Sequence, residues 1–310
     1  MNILGRRNRT FEIDSVSKKS LIELIQLLFK VTTESLEVND KILDEITDIK
    51  NCLKRIDRID LSNTNLYYAD LQNLHFENAV FIKSHFKNTI CNNAYFENAN
   101  FMYGHFENAV LYAAHFNHAL LERTNFNYAE ADESYFNFAY LHKALFNHAR
   151  LFKANFSYAK YAEAHFKEAE LEEANFYMAN LVRSHFEDSN LQNAHLVGCR
   201  LYDSYFNNAY LDGTDFTKSN LNRVDFTNAD CIETNFTNAE NLTALQLSKT
   251  KKILAPIGLD DIIKNEIIIL RPDLKIPLNA VSGDWVYTEQ GIAHISVKSD
   301  ATPDIQNKSF

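Results

Sequence analysis

From Leu61 onward an apolar residue returns at every fifth position. Stepping by five as far as Phe236 meets thirty-six such centres, all Leu or Phe except Cys91, Ala131, Tyr161 and Cys231, with no insertion or slip. Two residues before each centre the side chain is small, as at Ala69, Ala79, Ser84, Thr89 and Ala94; from 64 onward Leu74 and Val224 are the bulky exceptions. The remaining positions are mostly Asn, His, Tyr, Glu, Asp or Lys. Five residues advance a helix by about 500°, which would scatter the centres around every side. In a strand, residues two apart share a face, so the small residue and the centre can both point inward. The next such pair begins three residues later, an odd step that demands a corner. One short strand and one corner per five residues predict a polygonal coil, with small residues where the interior is crowded.

A ten-residue period lies on top of the five. Phe fills almost every tenth position from 76 to 236, and the intervening centres are mostly Leu. If four pentapeptides close one coil, two opposite sides carry Phe and the other two Leu, which fills a narrow tube in alternating layers.

Different patterns flank the repeats. Leu21, Leu24, Ile25 and Leu28 predict one amphipathic helix, and Ile42, Ile46, Ile49, Leu53 and Ile56 a second. These helices, within 16–58, are expected to cap the first coil; their spacing also suits a short homodimer seam. WVYTEQGIAHISV (285–297) alternates about Glu289–Gly291 like a small hairpin, and SDATPDIQNKSF is expected to lack order. The expected segments are thus 1–58, a helical cap and possible dimerisation segment; 59–240, the repeat body; and 241–310, a C-terminal cap, hairpin and tail. Trp285 and Tyr287 are candidate anchors for a partner.

The triplets ADL, ANF, ANL, SNL and TDF at five-residue spacing resemble the pentapeptide-repeat family, whose pattern is a small residue, Asp or Asn, Leu or Phe, then two polar residues. The resemblance covers about 59–240. It implies an all-β solenoid, a right-handed four-sided β-helix of about nine coils, roughly 43 Å long at a strand spacing of ~4.8 Å. ENLTALQLSKTKKILAPIGLDDIIKNEI (240–267) is similar to the helical segment that closes such rods.

Charge and composition narrow the function. The net charge is −10, and residues 61–240 carry the whole excess, with 22 acids against 12 bases. An acidic body disfavours nucleic acid or an anionic membrane and suits a basic protein surface. Only 7 Gly are present, which argues against phosphate-cradling loops. Cys52, Cys91, Cys199 and Cys231 form no CxxC pair and suggest a reducing, cytoplasmic setting. No cleavable signal follows MNILGRRNRTF, and the run LIELIQLLF is too short to span a bilayer.

HFENA and its variants tempt a catalytic or metal reading. Seven of eleven histidines (75, 85, 105, 115, 165, 185, 195) precede a centre and point outward; His85 with His105, and His165 with His185, fall on one side if a coil holds twenty residues. Neither pair has an obvious third ligand, so no metal or cofactor is expected. Glu130, Asp132 and Glu133 recur as Glu170, Glu172 and Glu173 two coils on, with Arg150 and Lys153 in the matching slots between them. Glu168, Glu187 and Asp188 form another acidic group. These acids are candidate contact residues, and no nucleophile, zinc or phosphate-loop motif accompanies them. The expectation is a non-catalytic scaffold for protein–protein interaction. The resemblance adds a second, a DNA mimic that binds a type II topoisomerase such as DNA gyrase to inhibit or protect it. A host-directed secreted effector is a third.

Overall fold

The computed structural model describes residues 60–272, without the side chain of Tyr161, and the backbone of three strands at 285–288, 291–296 and 304–306. Parallel bridges join residues twenty apart, from Asp60 with Val80 and Asn65 with His85 in steps of five to Asn220 with Glu240. Four pentapeptides therefore close one coil, as the family resemblance implied, and the ten-residue Phe period falls on two opposite sides. The sides take their names from their centres: the first holds Leu61, Phe81 and onward to Leu221, the second Leu66 to Phe226, the third Leu71 to Cys231 and the fourth Phe76 to Phe236. Two three-residue stretches, β1 (Lys160–Ala162) and β2 (Asn180–Val182), pair in the same register.

Each corner is a β-turn. The amide three residues after a centre donates to that centre's carbonyl, as Thr64 does to Leu61 at 3.2 Å and Ala99 to Phe96 at 3.1 Å. The third turn residue has a positive φ, between +51° and +68°, in all thirty-six repeats. Such a turn favours Gly or Asn. Those residues occupy only thirteen of the thirty-six corners; the rest include Tyr, Lys, Glu, Phe and Met. The left-handed conformation costs a residue with a Cβ about 1 kcal/mol. It is held here by what surrounds it, not by local preference.

What surrounds it is a ladder of backbone hydrogen bonds between coils. In each repeat the centre and the corner donate to the next coil, as Leu61 does to Val80 O (2.7 Å) and Asn63 to Ile82 O (2.9 Å). The residue before the next centre donates backward, His85 to Thr64 O at 2.9 Å. The amide just after the centre turns to a side chain in many repeats. The Asn or Asp preceding the centre accepts it in many repeats, as Asn65 does from Tyr67 (3.0 Å) and Asn125 from Asn127 (3.0 Å). Elsewhere the acceptor comes from the previous coil, as with Asn127 and Asn147 (2.9 Å). Where these bonds form, Asn or Asp answers a donor that the ladder leaves over.

Inside, the centres are buried and the rings stack. On the second side Phe86, Phe106, Phe126, Phe146 and Phe166 follow at 4.5 to 5.0 Å, and on the fourth Phe116, Phe136 and Phe156 at 4.9 to 5.0 Å. The two ladders meet edge to face, Phe116 against Phe126 at 5.6 Å and 84°. Phe81 and Phe101 add a third stack on the first side, at 4.8 Å, and the smaller Cys91 stands opposite Phe81 in its coil.

The C-terminal end departs from the single helical segment expected over 240–267. A short helix, α1 (Ala244–Leu247), carries a reciprocal capping box between Thr243 and Gln246. It is followed by a strand, β4 (Lys252–Leu254), which pairs in parallel with β3 (Asp230–Ile232), and then by α2 (Asp261–Leu270), capped by Asp260. The strand is there because the last coil exposes a row of backbone groups that only extended backbone can meet. Gln246 Nε2 donates to Leu221 O (2.8 Å) and Val224 O (3.0 Å), while Leu247, Ile253, Leu259 and Ile267 join the buried core.

Further on, β5 (Trp285–Thr288) and β6 (Gly291–Ser296) form the antiparallel hairpin read from the sequence. Within 299–310, where no order was expected, β7 (Asp304–Gln306) pairs with β6, Ile305 opposite Ile295. A hairpin leaves each strand one open edge, and β7 fills that of β6. The helices expected in 16–58 and the side chains of Trp285 and Tyr287 lie outside the described residues.

Two measurements test this account. Phe126→Ala, which empties a fully buried position between two stacked rings, is expected to cost about 3–5 kcal/mol in urea unfolding. Ala113 sits at a corner with φ +51°; Ala113→Asn is expected to raise stability by a few tenths to about 1 kcal/mol.

Candidate interaction surface

The HFENA unit is a brick whose outward letters meet. His75 Nδ1 lies 2.7 Å from Glu77 Oε1, His105 from Glu107 at 3.1 Å and His185 from Glu187 at 2.8 Å. Histidine and glutamate flank the buried Phe two residues apart, so both project from the same face of the short strand. The carboxylate also accepts its own backbone amide at Glu97, Glu172 and Glu187, answering the donor that Asn serves elsewhere. Reading these letters as independent outward positions missed the pair; the two-residue spacing was the available signal.

The histidine stacks form as expected, His85 on His105 at 4.7 Å and His165 on His185 at 4.5 Å, with planes within 13°. Parallel rings aim their nitrogens side by side, not at one point. His165 and His185 line a shallow depression with Glu163, Arg183, Asp203 and Tyr205. Burial holds the His165 imidazole below the usual histidine range, and the neighbouring His185 lowers it further. For Glu187 burial opposes ionisation, yet hydrogen bonds from His185 and its own amide, with the charge of both histidines, keep the carboxyl below its ordinary value. Cys91, Cys199 and Cys231 are free, buried thiols; burial pushes Cys91 up to about 12 and raises the other two as well, so none is a ready nucleophile.

The structure does gather the predicted acids, but with their counterions. Glu130, Arg150 and Glu170 occupy one column of the third side, and Arg150 reaches Asp132 at 2.6 Å and both glutamates at 3.6 Å. Lys153 pairs with Glu173 at 3.3 Å, Tyr112 donates to Glu133 at 3.0 Å, and Glu172 accepts from Asn190. Burial raises the Glu172 carboxyl. Glu168, on a second-side corner, meets His148 at 3.2 Å and Lys167 at 3.7 Å; Asp188, one coil on, accepts from Asn208 at 2.9 Å. Charges also sort by side. Counting each side with the corner that follows it, the third carries ten of the 22 rod acids and two of the 12 bases. The first, opposite, carries seven bases and four acids.

A feature that the linear reading missed lies on the fourth side. Its corners at residues 118, 138, 158 and 178 are His, Phe, Tyr and Met, one above another. His118 stacks on Phe138 at 4.9 Å, Phe138 on Tyr158 at 5.0 Å, and Tyr177 meets Tyr158 edge-on at 5.5 Å. Met178 closes the row over Gly198, where an added Cβ would lie 2.5 Å from the thioether sulfur. Phe138, Tyr158, Tyr177 and Met178 are 40, 43, 40 and 50% exposed, and Leu120 and Tyr140 extend the apolar surface onto the first side. The four repeats HFNH, YFNF, NFSY and NFYM contain no Asp, Glu, Lys or Arg. Lys160 stands beside them with its ammonium over the Tyr140 ring at 4.6 Å.

The histidines make stability pH-dependent. Because His165 binds its proton less readily folded than unfolded, stability is lost as pH falls from the ordinary histidine range through the lower folded value. His165→Asn, a residue this slot holds at Asn65 and Asn125, is expected to lessen the drop in urea midpoint between about pH 7 and pH 5.5. Glu187, held below its ordinary value, stabilises the fold above the carboxylate range and loses that contribution only as pH falls through it.

Comparison with known proteins agrees with this geometry. A family model described as "Pentapeptide repeats (8 copies)" matches residues 59–90, 81–117, 89–127 and 149–188, and one described as "Pentapeptide repeat region" matches 179–251. Together they cover more than half of the chain. Among solved structures, HetL from the cyanobacterium Nostoc sp. strain PCC 7120, a pentapeptide repeat protein involved in heterocyst differentiation regulation, is 21% identical over 63% of this chain and 97% of its own, with a TM-score of 0.36. QnrB1, a plasmid-mediated fluoroquinolone resistance protein, is 18% identical over 69% of this chain and 99% of its own, with a TM-score of 0.40. A pentapeptide repeat protein of the Arabidopsis thaliana thylakoid lumen is 19% identical over 45% and 88%, with a TM-score of 0.23. No curated protein matches the chain. With five-residue centres, twenty-residue coils and two matching family models, this chain belongs to the pentapeptide-repeat proteins, which form right-handed β-helices.

Proposed function

We propose that this protein is a non-catalytic scaffold for protein–protein interaction, a right-handed rod of about nine coils closed at its C-terminal end by residues 241–272. The observation that carries the reading is the aromatic corner at Phe138, Tyr158 and Met178. Each of these side chains is exposed, and each sits at a positive φ where Asn would be less strained. A large apolar side chain there costs conformational energy and exposes apolar surface to water, with only the stack between neighbours in return. Most corners hold a residue other than Gly or Asn; what sets this one apart is a run of exposed apolar side chains in successive coils with no charge among them. Aromatic and Met side chains without charge, bordered by polar residues, are also the composition of an interface centre.

A second reading, binding of a type II topoisomerase as a DNA mimic, is favoured by one observation, the location of the entire charge excess in the rod. Against it, Arg150 lies between Glu130 and Glu170, and the opposite side is net basic, so the acids do not form two continuous rows. Among the described residues no helix is long and apolar enough to cross a membrane.

The deciding experiment uses Phe138→Asn with Tyr158→Asn. Since Asn tolerates the left-handed corner, the double variant is expected to melt at or above the wild-type temperature. Affinity capture from extract of the source cells, read by quantitative mass spectrometry, is expected to lose its specific partners by tenfold or more. Full retention of partners by the folded variant would sink the proposal. Inhibition of gyrase supercoiling by the wild type, lost on Glu170→Lys, would move the assignment to the second reading.

A further inference from the structure

We infer that the aromatic corner receives an amphipathic helix with an acidic flank, and not the basic partner that the net charge of −10 suggests. This rests on the reading of that corner as the contact surface and adds the chemistry of what binds there.

Periodicity selects the helix. The rings along the corner repeat at 4.9 and 5.0 Å. A helix laid along it returns a side chain to the same face every turn, at 5.4 Å. Over three steps the mismatch is only about 1.3 Å, which side-chain torsions absorb. An extended segment returns to one face every ~6.7 Å and falls out of step by about 5 Å over the same length. The helix can therefore seat successive apolar residues along the row from His118 to Met178, and a strand cannot.

Charge selects the flank. The fourth-side repeats from His115 to Met178 are uncharged. Beside them on the first side stands Lys160, and Arg200 closes the same column one coil past Met178, both exposed, with Lys143 and Arg183 on the next corner. The acids mixed among these are engaged: Glu163 with Lys143 at 3.2 Å, and Asp203 with Arg223 at 2.6 Å. On the other flank lie Glu133, Lys153 and Glu173, where Lys153 pairs with Glu173 and Tyr112 donates to Glu133. The unbalanced acids sit on the third side and its corner, one side-width or more away. At physiological salt electrostatic influence decays over about 8 Å, and one side of the coil, three extended residues and a turn, is about 10 Å wide. A partner on the corner responds to Lys160 and Arg200 more than to the charge of the whole rod.

Two synthetic helical peptides test this against the full chain by fluorescence anisotropy. They share one Leu/Phe seam at i, i+3, i+4 and i+7 and differ only in carrying Glu or Lys along the flank. The Glu peptide is expected to bind at least tenfold tighter, to weaken as salt rises, and to lose its advantage in Lys160→Glu with Arg200→Glu. Glu170→Lys on the third side is expected to leave the preference intact. Equal binding of both peptides, a preference for Lys, or binding of neither overturns the inference. Equal binding that Phe138→Asn with Tyr158→Asn abolishes would refute the charge argument alone. Glu-peptide binding that survives that double variant would refute the contact surface itself.

Discussion

Everything in this rod depends on coil-to-coil registration at twenty residues. One buried centre per pentapeptide brings the Phe rings of successive coils between Phe86 and Phe206 to 4.5–5.0 Å on two sides, and the same repeat sets the backbone ladder. Hydrogen bonds and ring stacking share one pitch, so neither can be optimised without the other. This is how a chain with a left-handed residue at every fifth position stays folded. The thirty-four corners that carry a Cβ, at about 1 kcal/mol each, would exceed the net stability of most domains. The ladder and the stacked core must outweigh them together, because no single repeat can bury its own centre.

The same registration turns outward letters into columns. Side chains twenty residues apart become neighbours, whether histidines, the Glu130–Arg150–Glu170 series or the ring row at 118, 138 and 158. A substitution on the surface is therefore read along the rod axis, against the residues one coil before and after. Gly198 illustrates this: its missing Cβ is the space that Met178 fills from the preceding coil. The charge of the molecule is sorted by the same geometry, acids toward the third side and bases toward the first. A single net value hides that polarity.

At the C-terminal end the ladder meets a different requirement. The last coil must satisfy backbone groups as well as cover apolar centres, and residues 241–272 do both. Gln246 meets two carbonyls, β4 extends the pairing of β3, and Ile253 and Ile267 continue the buried column. Helix alone could have covered the core but could not have continued the hydrogen bonding.

Much of the fold was legible in the linear chain, because the step of five and the odd spacing between inward pairs are local facts that admit few geometries. Given the four sides that the family resemblance implied, the ten-residue Phe period also told which sides carry the rings. The hairpin at 285–296 was legible from its alternation, but β4 and β7 were not, since each exists to fill an edge created elsewhere in the fold. The acidic residues and their Arg150 and Lys153 neighbours could be read by stepping in twenties, but their hydrogen bonds could not. The aromatic corner was invisible for a physical reason: its residues occupy an outward position that the core leaves unconstrained, so their identities look arbitrary along the chain. The sequence by itself determined the coil, its sides and its buried rings. Only the tertiary structure decided which exposed side chains stand together, because stacking of coils, and not chain proximity, makes them neighbours.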